Sequence, residues 1–218
     1  MLNNPMNKLI ANLIERYPLL EQVRENIEGA FKLLKDSFEA NGKLLICGNG
    51  GSASDGDHIV GELLKSFSIK RPIPIAFKDK LKDKYGTSGV DLSNKLEGAL
   101  PAISLNAHAA FISAFSNDVN PEYVFAQQVY GYGNTQDVLL GISTSGNAKN
   151  VIAAMKVAKA KGLKIVGLVG RDSGEFPKYC DILINVGGES TPEIQELHLP
   201  VYHVLCQLLE IHFFQDNK

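Results

Sequence analysis

Tryptophan is absent from this 218-residue chain, and cysteine and methionine occur three times each. The cysteines, Cys47, Cys180 and Cys206, are odd in number and far apart. They form neither a CxxC zinc signature nor a disulfide framework, so reduced thiols are expected. No apolar run approaches the ~20 residues that span a bilayer, so no membrane partner is expected. The N-terminal MLNNPMNKLIANLIERYPLL lacks the basic stretch, apolar core and cleavage site of an export signal. A cytoplasmic location is therefore expected. Net charge is only −2, with no block of one sign, which argues against a nucleic-acid surface. What is present is an ordinary globular composition, 44% hydrophobic and 21% charged. The length suits one domain with a core that needs no staples. We read residues 1–218 as that single domain.

Residues 1–40 form an N-terminal helical segment. Leu9, Leu13, Leu19, Leu20, Val23, Ile27, Phe31, Leu34 and Phe38 recur at helical spacings from about residue 5, with a bend or break allowed at Pro18. Asn41-Gly42 stops it. A strand–loop–helix pattern then repeats. Strands are predicted at 43–47 and 138–142, followed by helices, the second starting near Asn147. KIVGLVGRDSG and CDILINVGG supply two more strands, and residues 101–105 a short one. Alternating β and α elements with unbroken apolar strands predict a parallel sheet covered on both faces. The last helix, about 192–214, carries more apolar surface than one sheet can cover, which suggests an oligomer interface. Residues 77–98 interrupt the pattern: charged and weakly periodic, they read as a surface excursion, either a passive loop or a lid.

Two loops stand out. Gly48-Asn49-Gly50-Gly51-Ser52 lies directly after a strand and before a helix. Its glycines allow close backbone approach, and the helix start offers free N–H groups to a phosphate or sugar hydroxyl. It has neither GxGxxG spacing nor a GK[ST] ending. Ser143-Thr144-Ser145-Gly146-Asn147 holds the same position after the later strand. Its bland reading is a helix cap by Ser145 or Asn147, which needs one polar side chain, not three hydroxyls. Open α/β sheets bind ligands at the carboxyl ends of their strands, where both loops fall. Together they indicate a phosphorylated sugar held mainly by neutral donors.

Acid–base and metal candidates are fewer. His58 and Glu62 share a helical face one turn apart, as an exposed pair or as two ligands of one ion. On the final helix, Gln195 and His203 are eight residues apart, about 12 Å along the axis, too far to chelate one ion as neighbours. From spacing alone a structural role is favoured for His198 and His203. Asn117-Asp118 ends an apolar helical stretch as a cap, a turn or a ligand contact. Lys65 and Arg71 border the site helix and read as solvated surface, and Cys47 as an inert core thiol.

CGNGGS with His58-x3-Glu62, then SND, DVLLGISTSGN and IQELH with His203, resembles the sugar isomerase (SIS) family, nearest to the phosphoheptose isomerases. The likeness runs from about residue 5 to the C-terminus, apart from 77–98, which is read as an insertion. It implies a flavodoxin-like three-layer sandwich with a central parallel sheet, and a homotetramer whose active sites form between subunits. The terminal helices would serve oligomerisation. It further implies one zinc per subunit, on His58, Glu62, Gln195 and His203. Asn49, Gly50, Gly51, Ser52, Asn117, Asp118, Ser143, Thr144, Ser145 and Gln195 would line the phosphosugar site together with Glu62. Glu62 would act as base and His203 as acid in ketose–aldose interconversion, with sedoheptulose 7-phosphate as substrate. Four features depart from the family pattern: Ala148 in place of a serine, Lys65-Ser66-Phe67 in place of Gly-Arg-Phe, the loop GGESTPE, and 77–98 itself. They keep two alternatives open: an isomerase or epimerase of another phosphosugar, and a non-catalytic phosphosugar- or partner-binding protein of the same fold.

Overall fold

A computed structural model describes residues 4–215; the ends of the 1–218 domain reading, 1–3 and 216–218, lie outside the described residues. Five parallel strands, β1 (Leu44–Cys47), β2 (Ala102–Ser104), β3 (Val138–Ser143), β4 (Lys164–Val169) and β5 (Ile182–Asn185), form one sheet in the order β2-β1-β3-β4-β5. This is the doubly wound order of flavodoxin-like sheets. The strand alternation sorts two cores. Leu44, Ile46, Val138, Leu140, Val166, Leu168 and Ile184 face one side, while Leu45, Leu139 and Ile165 face the other.

The first side is covered by α1 (Asn4–Arg16), α2 (Arg24–Glu39), α3 (Gly51–Leu64) and α9 (Thr191–Phe214), the second by α7 (Val124–Tyr132) and α8 (Lys149–Ala160). The break foreseen at Pro18 is there: α1 ends at Arg16, and a 3-10 turn starting at Pro18 leads into α2. Asn41, at φ 59°, adopts the left-handed conformation that ends α2.

Much of the apolar surface of α9 lies inside the chain: Val201, Val204, Leu205, Leu208 and Leu209 are buried in the core shared with α1, α2 and α3, while Leu199 is exposed. Helix α6 (Ala109–Asp118, AAFISAFSND) fully buries no residue, and its Phe111, Ile112 and Phe115 lie half-buried against the second core. The reading of 77–98 as an irregular excursion needs correction: residues 77–93 form most of a helical pair, α4 (Ile75–Tyr85) and α5 (Thr87–Ser93), and only 94–98 lie beyond it. The α4 helix buries no residue, so no apolar stripe announces it. The root of this pair is closed by a bridge between Pro72 and Glu97 and by Gly98 N–H donating to the Arg71 carbonyl at 2.6 Å.

Candidate active site

The carboxyl ends of β1 and β3 carry the two loops side by side. Gly50, at φ 57°, turns the chain from β1 into α3. Gly51 opens α3, and a Cβ on it would lie 2.6 Å from Gln195 Nε2. That clearance lets α9 bring Gln195 against the first turn of α3. In the second loop, Gly146 takes φ 64°, and a Cβ there would run into the Ser173 carbonyl. The loops are tied across their mouth by a reciprocal amide pair: Asn49 and Asn150 each donate Nδ2–H to the other's Oδ1 at 2.9 Å. Asn150 was not singled out in sequence, because a lone asparagine in a helix's first turn has no distinguishing pattern.

The hydroxyls do not all face outward. Ser52 and Ser143 are buried, and Ser143 Oγ accepts from Gly146 N at 3.1 Å, bracing its own loop. Thr144 is half-buried, and Ser145 is exposed, its Oγ accepting from Asn147 N at 3.3 Å. Neither Ser145 nor Asn147 caps α8; its N-cap residue is Ala148. Asn117 and Asp118 sit exposed at the end of α6, hydrogen-bonded to each other at 2.9 Å.

About two turns along α3 from Gly51, a second group gathers. His58 Nε2 lies 3.3 Å from Glu62 Oε1, and Lys65 Nζ donates to Glu62 Oε2 at 2.8 Å. From α9, His203 stands edge-on to His58 with ring centroids 5.0 Å apart, and Phe67 covers its other side at 5.2 Å. His203 Nε2 is buried without a hydrogen-bond partner. Burial first, then the His58 ring beside it, holds the His203 pKa below its usual value, with Glu62 opposing. A cavity of about 290 Å³ between α1 and α9 opens onto His203 and is lined also by Asn12, Arg16, Tyr17 and Gln207.

The chain thus brings His58, Glu62 and His203 together and leaves Gln195 at the other end of α3. Two imidazoles and a carboxylate, with one buried ring nitrogen unpartnered, form a donor set chemically suited to zinc. As they stand, no three His, Cys, Asp or Glu side chains among the described residues are grouped to hold a metal ion. Lys65 occupies one of Glu62's oxygens.

The neighbouring residues show which of the remaining readings hold. His198 is fully buried, and its pKa is pushed down to about 4 by that burial, so its role is structural. Cys47 is buried too, with its thiol pKa raised by desolvation. Arg71 is a correction: it is not solvated surface but 1% exposed. It donates to Glu210 Oε1 at 2.7 Å and to the carbonyls of Leu63 and Glu62 at 2.9 Å each. Glu210 also accepts backbone N–H groups from Phe67, Ser68 and Ile69. The pair clamps the end of α3, with Glu62, onto α9. Its signal, a glutamate 139 residues further on, is invisible to local pattern.

A model of the SIS domain matches residues 8–82 and 85–170. A phosphoheptose isomerase from Helicobacter pylori is 39% identical over 198 residues, 91% of this chain and 90% of its own length. One from Clostridium acetobutylicum is 33% identical over 212 residues, covering 90% and 95%. The solved structure of a phosphoheptose isomerase from Neisseria gonorrhoeae superimposes with a TM-score of 0.72 at 30% identity, over 92% of this chain and 94% of that one.

Proposed function

The chain belongs to the SIS domain family and is a sugar-phosphate isomerase of the aldose–ketose type; we propose that it converts sedoheptulose 7-phosphate to D-glycero-D-manno-heptose 7-phosphate with the help of zinc. The observation that carries the reading is the convergence of His58, Glu62 and His203 beside two neutral-donor loops. In this reading the loops hold the phosphate and hydroxyls, and the side-chain cluster does the proton work.

Ketose–aldose exchange moves a proton between neighbouring carbons through an enediol, while the adjoining oxygens exchange theirs. Glu62 is the base: Lys65 fixes its Oε2, leaving Oε1 to the reacting side. His203 serves the oxygen. With its pKa lowered, it works as a neutral imidazole polarising through N–H, a mode suited to an enediolate. Zinc on His58, Glu62 and His203 would polarise the sugar oxygen when bound; Gln195, against the first turn of α3, does not join them within one chain. The reading includes a homotetramer with sites completed between subunits, working in the cytoplasm; exposed Leu19 and Leu199 leave apolar surface for such contacts.

Metal analysis joined to turnover of sedoheptulose 7-phosphate, on the native chain and on Glu62→Gln, tests the reading. Bound zinc, turnover, and a loss of about 10²- to 10⁴-fold in the variant are expected. Zinc without turnover of that sugar would move the assignment to another phosphosugar, which Ala148 and Lys65 at the pocket already favour as second choice. Neither zinc nor phosphosugar binding would leave a non-catalytic protein.

A further inference from the structure

Behind His58 lies a hydrogen-bond chain that the isomerase reading does not use. The Tyr202 hydroxyl sits 3.0 Å from His58 Nδ1 and 3.3 Å from Asp55 Oδ1. Tyr202 is 2% exposed, and its ring packs edge-on against both His58 and His203. A phenol has one proton to donate, and an ionised carboxylate can only accept. Tyr202 therefore donates to Asp55 and must accept from His58. That puts the imidazole proton on Nδ1 and leaves a lone pair on Nε2, 3.3 Å from Glu62 Oε1; two acceptors this close are satisfied by a cation held between them.

We infer that Asp55 and Tyr202 are positioning residues that lock the ring and tautomer of His58, so that its Nε2 lone pair is presented to the reacting cluster. Side chains behind a working histidine commonly set its tautomer in this way. Asp55 Oδ2 is buried with no hydrogen-bond partner. A half-satisfied buried carboxylate costs stability, which marks it as a group retained for the orientation of its partners. The sequence reason is plain: Asp55 and His58 lie three apart on one face of α3, and Tyr202 precedes His203 on α9, so one helix pair delivers both relay and cluster.

The assignment rests on reading His58 and Glu62 as reacting side chains, and its test is separable from turnover. 15N spectra of histidine-labelled full-length protein at pH 8, with His58 identified by its loss in His58→Gln, report which ring nitrogen carries the proton. The expected result is protonation at Nδ1 alone. Protonation at Nε2, or at both nitrogens, overturns the inference whatever the substrate proves to be. Tyr202→Phe should release the tautomer and lower kcat about 10- to 100-fold with KM unchanged. Asp55→Asn keeps the shape while its amide can donate to the phenol, so it should push the proton toward Nε2. If both variants fold and leave the His58 spectrum and kcat as in the native chain, the relay has no positioning role.

Discussion

The two ends of α3 are built from different materials. At its start, the groups we assign to phosphosugar binding are backbone and small neutral side chains: Gly50, Gly51, the Asn49–Asn150 amide pair and the serine loop. Toward its end the groups are charged or ionisable, drawn from both α3 and α9 and clamped by a buried ion pair. A phosphate that keeps its charge needs many fixed dipoles, and a helix start supplies them at no cost in buried charge. Proton transfer needs few groups held closely in register, and register comes from packing.

Breaking the clamp should have the largest effect. Arg71→Met leaves Glu210 buried and unpaired, so unfolding stability should fall by about 3–5 kcal/mol, as read by urea denaturation. The reacting end should loosen with it. Next is His198, midway along α9 between Gln195 and His203. An unfolded chain protonates this histidine near the usual 6.5, the folded chain only near 4. As pH falls from about 6.5 to 4, the unfolded state therefore takes up the proton first. Stability should drop by about 3 kcal/mol across that window, and His198→Leu should flatten the profile. Both ends would fail together, because α9 joins them.

Smaller effects belong to the binding end. Gly146→Ala drives a Cβ into the Ser173 carbonyl from a left-handed backbone, at a cost of about 1–3 kcal/mol. Calorimetry should show it as weaker phosphosugar binding. Asn150→Ala removes only the amide tie and should weaken binding by about 1 kcal/mol, about fivefold in Kd. Should Gly146→Ala instead cut kcat while binding stays intact, the division between the ends would be wrong.

The sheet was legible because its strands are unbroken apolar runs between glycine loops, a pattern that needs no knowledge of the fold. The loops and the His58–Glu62 pair were legible for the same reason, since each is local. Arg71 was misread because its partner is Glu210, and a lone arginine in the polar stretch SIKRP looks like any solvated one. Asp55 and Tyr202 went unremarked because their meeting needs α3 and α9 already packed. The helices α4 and α5 were missed because helical periodicity is a record of burial, and α4 buries nothing.

The closed root of that helical pair has a mechanical consequence. The chain leaves at Arg71-Pro72 and returns at Glu97-Gly98 across a bridge that already joins the two sides, while the Glu97 carboxylate accepts Ser66 N–H at 2.8 Å. A pull on the helical pair above is therefore met first at this junction, before it reaches Ser66 and the Arg71–Glu210 clamp that holds Glu62.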